Sequence, residues 1–172
     1  MGVVAIDSAG SFEQPPIKIV AAKKVEKQNY RALYLDKDDI EKYKKVIKRK
    51  VQQTKGKNKK KKLKKQENYR EKISAALIFE SMRTLVKHTD LIQIDKDFEG
   101  WREDMVRGFL ERLFGKVHQG TTLSNPSIRF ITDHCEDGKY IKEAHGKTQD
   151  AKHKKLSDIE KCPNLEKLLN FL

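Results

Sequence analysis

Five side chains that can bind zinc lie close together late in the sequence. They are His134, Cys135, His145, His153 and Cys162. A tetrahedral zinc site usually takes its ligands as close pairs that are separated by about two to four residues. Here the only close pair is adjacent in sequence, and the other ligands follow at wider gaps that match no zinc finger. The spacing therefore favours packed or solvated side chains, and we predict neither a metal site nor a cofactor.

The same region contains the patterns that come nearest to a catalytic site. Asp137 stands two positions before Lys139, a spacing found in metal-dependent nucleases, but the pair Asp137-Gly138 is also typical of a turn. Cys135 and His145 could form a nucleophile and its base, yet no third group that would orient them is recognisable. A metal-dependent enzyme centred on residues 133–145 is therefore only a third hypothesis, and we expect the protein not to be an enzyme.

The strongest chemical feature of the sequence is a run of lysines. Residues 41–72 contain 16 Lys and Arg against 3 Asp and Glu, a net charge of +13 that equals the net charge of the whole chain. The remainder of the chain is therefore electrically balanced. A neutral body with one cationic stretch is typical of a protein that binds an anionic partner.

Lysine-rich segments bind the phosphate backbone of nucleic acids, because each neutralised phosphate releases counterions. Lysine is a point charge without the planar fork of arginine, so this segment should bind the backbone without reading bases. A flexible lysine-rich arm favours RNA over DNA, although no residue distinguishes the two. The predicted nucleic-acid-binding residues are Lys48, Arg49, Lys50, Lys55, Lys57, Lys59, Lys60, Lys61, Lys62, Lys64 and Lys65.

We therefore expect a non-enzymatic, RNA-binding protein of the nucleus or nucleolus, with ribosome or RNP assembly as its setting. The lysine run also has the composition of a nuclear localisation signal, so an import receptor is a second expected partner. In the alternative function, the lysines serve for import alone and a helical body binds another protein through an apolar surface. Binding to an anionic membrane surface is a further alternative.

The first half of the chain is predicted to contain one clear helix. Residues 1–16 are typical of a disordered leader, and residues 17–22 of a short strand or an extended segment. Asp36 and the aspartates that follow it suit a helix N-terminus. Apolar residues at helical spacing then predict a helix over residues 37–53.

The second half is predicted to be largely helical. Apolar residues recur at helical spacing from Ile73 to Val86 and from Phe98 to Val117, and the latter segment is the expected core helix. The sequence "LIQI" between them is interpreted as a short apolar bridge, and "IRFIT" (residues 128–132) as a short strand or a packed turn. Leucines at helical spacing near the end of the chain predict one more helix, which packs either on the body or on a partner.

These elements predict a mainly α fold. The expected architecture is a small helical bundle preceded by a basic helix and linker, with at most one or two very short strands. The expected parts are a disordered or extended leader (1–35), a basic helix with a Lys-rich arm (36–66) and a helical domain (67–172). Two cysteines are too few for a disulfide scaffold in 172 residues, which indicates a reducing compartment. No apolar run reaches the roughly 18 residues that a bilayer span requires.

Overall fold

The molecule is described by a computed structural model. It describes residues 2–10, 12, 18–24, 29–53, 68–87, 90–96, 102–119, 126–131, 142, 144 and 159–172, and within 18–24 only the backbone.

The centre of the fold is a six-stranded mixed sheet. Its strands are β1 (Val3–Gly10), β2 (Lys18–Lys24), β3 (Asn29–Leu35), β4 (Leu91–Asp95), β5 (Ser127–Ile131) and β6 (Glu160–Lys161). They lie side by side in the order β5-β4-β1-β2-β3-β6. The first three strands form an antiparallel meander, whereas β4 runs parallel to both β1 and β5, and β6 runs parallel to β3.

The prediction of a mainly α fold is wrong, because the chain forms a mixed α/β fold around this sheet. Residues expected to form a disordered leader contain β1, which has a neighbour on each side, and the apolar bridge "LIQI" begins β4. Both strands are short apolar runs that are almost continuously buried, and such runs lack the alternation that marks a strand with one solvated face. The sheet joins strands from the first and third of the three predicted parts of the chain.

The positions of the predicted helices agree better with the structure, because the apolar spacing that marks a helix is a local pattern in the sequence. The helices are α1 (Lys37–Gln53), α2 (Tyr69–Met82), α3 (Glu103–Val117) and the single turn α4 (Glu166–Leu169). The bounds of α1 are those predicted. Asp36 caps it as expected, since its Oδ1 accepts a hydrogen bond from the Asp39 amide at 2.9 Å.

The core lies between one face of the sheet and the helices, with α2 at its centre. Every residue of α2 from Glu71 to Met82 is buried, which explains why this helix lacks one distinct polar face. The ring of Phe79 in α2 meets the ring of Phe114 in α3 edge to face, with centroids 5.0 Å apart. No helix among the described residues is long and apolar enough to cross a membrane.

The two faces of the sheet differ in what covers them. Val4 and Ile6 of β1, with Ile92 and Ile94 of β4, belong to the main core beside α2, and we call this side the α2 face. The intervening residues point to the other side, the opposite face, because successive side chains of a strand alternate. On that side Ala5 forms only a small separate cluster with Ala144 and Ile131.

The leucines at the end of the chain pack on the body of the same molecule. Leu165, Leu169 and Leu172 are buried in the main core. The amide of Leu165 donates a hydrogen bond to the hydroxyl of Tyr43 in α1 at 3.0 Å. The choice that the sequence left open, between packing on the body and packing on a partner, is therefore resolved in favour of the body.

Candidate functional site

Two buried aspartates lie side by side in the middle of the sheet. The register of β1 and β4 pairs Ile6 with Ile94, so that Asp7 and Asp95 are the next residues along two neighbouring parallel strands. Adjacent strands are about 4.8 Å apart. Both side chains belong to the opposite face, and the two residues are 3% and 6% exposed. We refer to Asp7 and Asp95 as the carboxylate pair.

The carboxylate pair lies close to the place where the chain leaves neighbouring strands in opposite directions: Asp95 ends β4, and β1 continues beyond Asp7 as far as Gly10. After β1 the chain turns to β2 on one side, and after β4 it passes through α3 to β5 on the other. Such a divergence opens a crevice at the carboxyl ends of parallel strands, and ligands of α/β proteins bind there. The pair therefore occupies the position in the sheet at which the topology itself favours a binding site.

Two further polar side chains of the same face border the pair. Gln93 precedes Asp95 by two residues and is 4% exposed, and its side-chain carbonyl oxygen has no hydrogen-bond donor among the described residues. Arg129 of β5 pairs in register with Gln93 and is exposed. A buried oxygen without a donor is costly, since it has lost its water. A cation or an ordered water at the pair would give the Gln93 oxygen a partner.

The segment after β5 returns to this face of the sheet. Ala144 is fully buried against Ala5, two residues before Asp7 on the same face. Ala144 belongs to the stretch 133–145 that the third hypothesis singled out. Most of that stretch, including Asp137 and Lys139, lies outside the described residues.

The pair has the composition of a site for a hard divalent cation. Mg²⁺ prefers oxygen ligands and is commonly held by one or two carboxylates, with water and substrate phosphates completing its shell. No group of three or more His, Cys, Asp or Glu side chains suited to a metal occurs among the described residues. The pair alone supplies the minimum for Mg²⁺ but not the four protein ligands of a structural zinc site.

Sequence reasoning did not identify the carboxylate pair. Asp7 falls within the residues assigned to a disordered leader, and Asp95 directly follows "LIQI", which was interpreted as a short apolar bridge. The signal that could have found them is an acidic residue inside or at the end of a short apolar run, in "VVAID" and "LIQID". That signal is weak in one sequence, because only strand pairing brings the two runs together.

Of the five zinc-capable side chains, only Cys162 lies within the described residues. It is a buried free thiol, and burial raises the pKa of Cys162 far above its usual value. A thiol that resists ionisation is a poor nucleophile and a poor metal ligand. The absence of a zinc site stays a prediction for the other four.

The predicted nucleic-acid-binding residues begin on α1. Lys48 and Arg49 are exposed near its end, whereas Lys50 is half-buried and its ammonium donates to the main-chain oxygens of Leu169 and Asn170. The first two are therefore placed to meet a partner, and the third also holds the end of the chain. The other predicted residues lie outside the described residues: Lys55, Lys57, Lys59, Lys60, Lys61, Lys62, Lys64 and Lys65.

Comparison of the chain with protein-family models, with curated proteins and with solved structures found no match.

Proposed function

We propose that the protein is a divalent-metal-dependent enzyme that cleaves phosphodiester bonds of nucleic acid. The observation that carries this proposal is the carboxylate pair. Asp7 and Asp95 are buried side by side on two parallel strands; Asp95 ends β4, whereas β1 continues beyond Asp7 as far as Gly10. Carboxylate oxygens are the ligands that Mg²⁺ and other hard divalent cations prefer in proteins.

The chemistry follows from the ligands. Asp7 and Asp95 would hold a divalent ion through their carboxylates. The bound ion would supply a water of lowered pKa and positive charge opposite the reacting phosphate. The exposed guanidinium of Arg129, on the same face of the sheet, is suited to contact a neighbouring phosphate.

The substrate class follows from the charge distribution. The whole excess of positive charge lies in residues 41–72, which include the exposed Lys48 and Arg49. A dense cationic stretch beside a neutral body favours a polyanion over a small phosphate ester. Nucleic acid is the polyanion whose phosphodiesters the carboxylate pair can act on. The lysine-rich composition favours RNA over DNA, so RNA substrates are tested first.

Cleavage of labelled oligonucleotides tests the proposal. Single- and double-stranded RNA and DNA are incubated with the full chain in Mg²⁺, in Mn²⁺ and in EDTA. We expect cleavage that requires the metal. The cleavage rate should fall by at least about a hundredfold in Asp7→Asn and in Asp95→Asn. Mutation of a residue that only hydrogen-bonds a metal ligand already costs about ten- to a hundredfold in metal affinity or activity.

Asp38→Asn is the matched control, since it makes the same change in an exposed aspartate of α1. It should cleave as wild type does. Binding of Mn²⁺, followed by its paramagnetic effect on water relaxation, should be weakened in the two pair variants and kept in the control. Equal cleavage by wild type and both pair variants, or no metal-dependent cleavage of any of the four substrates, would contradict the proposal.

A second candidate function is binding of RNA without cleavage. The cationic stretch favours it, because it is the part of the sequence with a clear preference for a phosphate backbone. Salt-titrated binding to wild type and to a variant with Lys59, Lys60, Lys61 and Lys62 replaced by Gln tests it. We expect weaker binding and a shallower salt dependence in the variant, and unchanged affinity would contradict it.

The remaining expectations concern the setting of this function. A nuclear or nucleolar location, an import receptor as partner and a role in ribosome or RNP assembly stay predictions from the lysine run. Imaging of the full chain and of the same Lys59–Lys62 variant in cells would distinguish an import signal from a binding segment alone.

A further inference from the structure

Gln93 of β4 carries a buried oxygen that accepts no hydrogen bond. The residue is 4% exposed, and its side-chain carbonyl oxygen has no donor among the described residues. Arg129 of β5 stands beside it in register, on the same face of the sheet, yet its guanidinium does not donate to this oxygen. Nearly all buried polar atoms have a partner, and one without it indicates a water or an ion that completes the site.

Gln93 lies next to the carboxylate pair on the opposite face. It precedes Asp95 by two residues, which is a distance of about 7 Å between residues on one face of a strand. Its register partner in β1 is Ala5, so Asp7 is its diagonal neighbour across the two strands. Diagonal neighbours are about 7–8 Å apart, and a long side chain bridges that distance. The Gln93 side chain is therefore long enough to share one small ligand with both carboxylates.

The surroundings of Gln93 admit only a small partner. Ala5, its neighbour in β1, is fully buried and packs on Ala144, which is fully buried as well. Asp7 and Asp95 are also buried. The partner of the Gln93 oxygen is therefore of the size of an ion or a water.

The ligand types favour an ion over a water. The carboxylates of Asp7 and Asp95 and the amide carbonyl of Gln93 all supply oxygen acceptors. A water has only two protons to donate to these three side chains, whereas a cation attracts all of their oxygens. Carboxylates and amide carbonyls are moreover the ligands that hard divalent cations take from proteins.

We propose that the side-chain carbonyl oxygen of Gln93 is the third protein ligand of a hard divalent cation, Mg²⁺ or Mn²⁺, that Asp7 and Asp95 hold. The inference rests on the metal ion of the proposed function but not on the reaction proposed there. Two carboxylates balance the charge of a divalent ion, and a neutral amide adds a ligand without adding charge. The ion therefore keeps more attraction for a further anionic ligand than it would beside a third carboxylate.

Gln93→Met tests the inference with and without metal, because it keeps the length of the side chain and removes its oxygen. In EDTA the variant should unfold at a Tm equal to or above that of wild type, since an unsatisfied acceptor gives way to an apolar group. Its affinity for Mn²⁺, followed by water relaxation, should be lower by at least about tenfold, because even residues that only hydrogen-bond a metal ligand contribute that much. A lower Tm in EDTA together with unchanged Mn²⁺ affinity would show that Gln93 only packs.

Gln93→Glu changes the charge at the same position with little change of shape, and it provides a second variant should Gln93→Met not fold. A third carboxylate should lower the Tm in EDTA, because like charges are then close together. Saturating Mn²⁺ should raise the Tm of this variant by more than it raises that of wild type, because the ion binds the more highly charged ligands more tightly. An equal rise in the two proteins would place the ion away from Gln93 and overturn the inference.

Gln52 provides the matched control, since it is an exposed glutamine of α1. Gln52→Met and Gln52→Glu should keep the Tm in EDTA and the Mn²⁺ affinity of wild type. If these variants change the Mn²⁺ affinity as much as the Gln93 variants do, the effect does not come from contact with the ion and the inference fails.

Failure of this inference and failure of the proposed function are distinguishable. If wild type cleaves nucleic acid through Asp7 and Asp95 while Gln93→Met binds Mn²⁺ as wild type does, the function stands and the third ligand fails. If Gln93→Met and Asp95→Asn both bind Mn²⁺ more weakly but no oligonucleotide is cleaved, the metal site stands and the function fails. Absence of Mn²⁺ binding to wild type would overturn both.

Discussion

At the scale of single residues, acidic side chains occupy positions of three kinds. Asp36 caps a helix at the surface, Glu80 is buried among arginines, and Asp7 and Asp95 form the carboxylate pair. The sequence predicted the first of these, because a cap depends only on residues three or four positions away. It did not predict the pair, because the two aspartates are neighbours only through the register of strands that are distant in sequence.

The cap of α1 supports a prediction about Asp36. Its Oδ1 accepts from the Asp39 amide, and its Oδ2 accepts from the ammonium of Lys161 at 2.7 Å. Asp36→Ala removes both contacts, and we expect it to lower the free energy of unfolding by about 1–2 kcal/mol. Asp36→Asn keeps a capping oxygen and loses only the surface ion pair, at about 0.5 kcal/mol. Urea unfolding of the two variants measures both values, and equal losses would contradict this account.

The effect of the Asp36 charge should depend on pH. The Lys161 ammonium and the Asp39 amide hold the pKa of Asp36 below its usual range. The stabilisation from the charge is therefore fully present above the unfolded pKa of about 4 and is lost as the pH falls through the lower folded pKa. The stability difference between wild type and Asp36→Asn should shrink accordingly below about pH 4, and a constant difference down to acid pH would contradict the assignment.

At the scale of elements, helices that the sequence predicted pack on one face of a sheet that it did not predict. Apolar spacing predicted α1 to the residue and gave the main parts of α2 and α3, since an amphipathic stripe is a local pattern. The same spacing could not reveal that α2 is buried on all sides. That property depends on which elements surround the helix, and those come from both ends of the chain.

The attachment of the last residues to α1 gives a prediction for Tyr43. Its hydroxyl accepts a hydrogen bond from the Leu165 amide, and both residues are buried. Tyr43→Phe leaves that amide without its acceptor, so we expect a loss of about 1–3 kcal/mol in the free energy of unfolding. Tyr30→Phe is the matched control, because Tyr30 is 51% exposed, and its effect should stay within about 0.5 kcal/mol. Similar losses in the two variants would show that the Tyr43 hydroxyl does not hold the end of the chain.

At the scale of the whole molecule, one arginine connects three distant parts of the chain. Arg31 of β3 donates to both carboxylate oxygens of Glu160 in β6, at 2.7 and 3.1 Å, and to the main-chain oxygen of Glu80 in α2 at 2.8 Å. It also lies 3.4 Å from the buried Glu80 carboxylate. Such a side chain fixes the edge of the sheet to the central helix.

Two arginines that share Glu80 allow a matched comparison. Arg83 also pairs with Glu80, at 3.0 Å, but its side chain is 48% exposed, against 19% for Arg31. We expect Arg31→Ala to lower the free energy of unfolding by about 2 kcal/mol, because buried acceptors lose their donor. Arg83→Ala should cost less than about 1 kcal/mol, as exposed ion pairs do. Urea unfolding decides the order, and a larger loss for Arg83→Ala would reverse this account.

During synthesis, β1 is made long before β4, which is one of its two neighbours in the sheet. The meander of β1 with β2 and β3 joins neighbours along the chain, but β1 meets its other neighbour, β4, only when Leu91–Asp95 have left the ribosome. Until then one edge of β1 carries unpaired backbone groups, and an exposed edge invites pairing with other chains. A product that stops short of Leu91 contains Asp7 but never acquires the second carboxylate beside it.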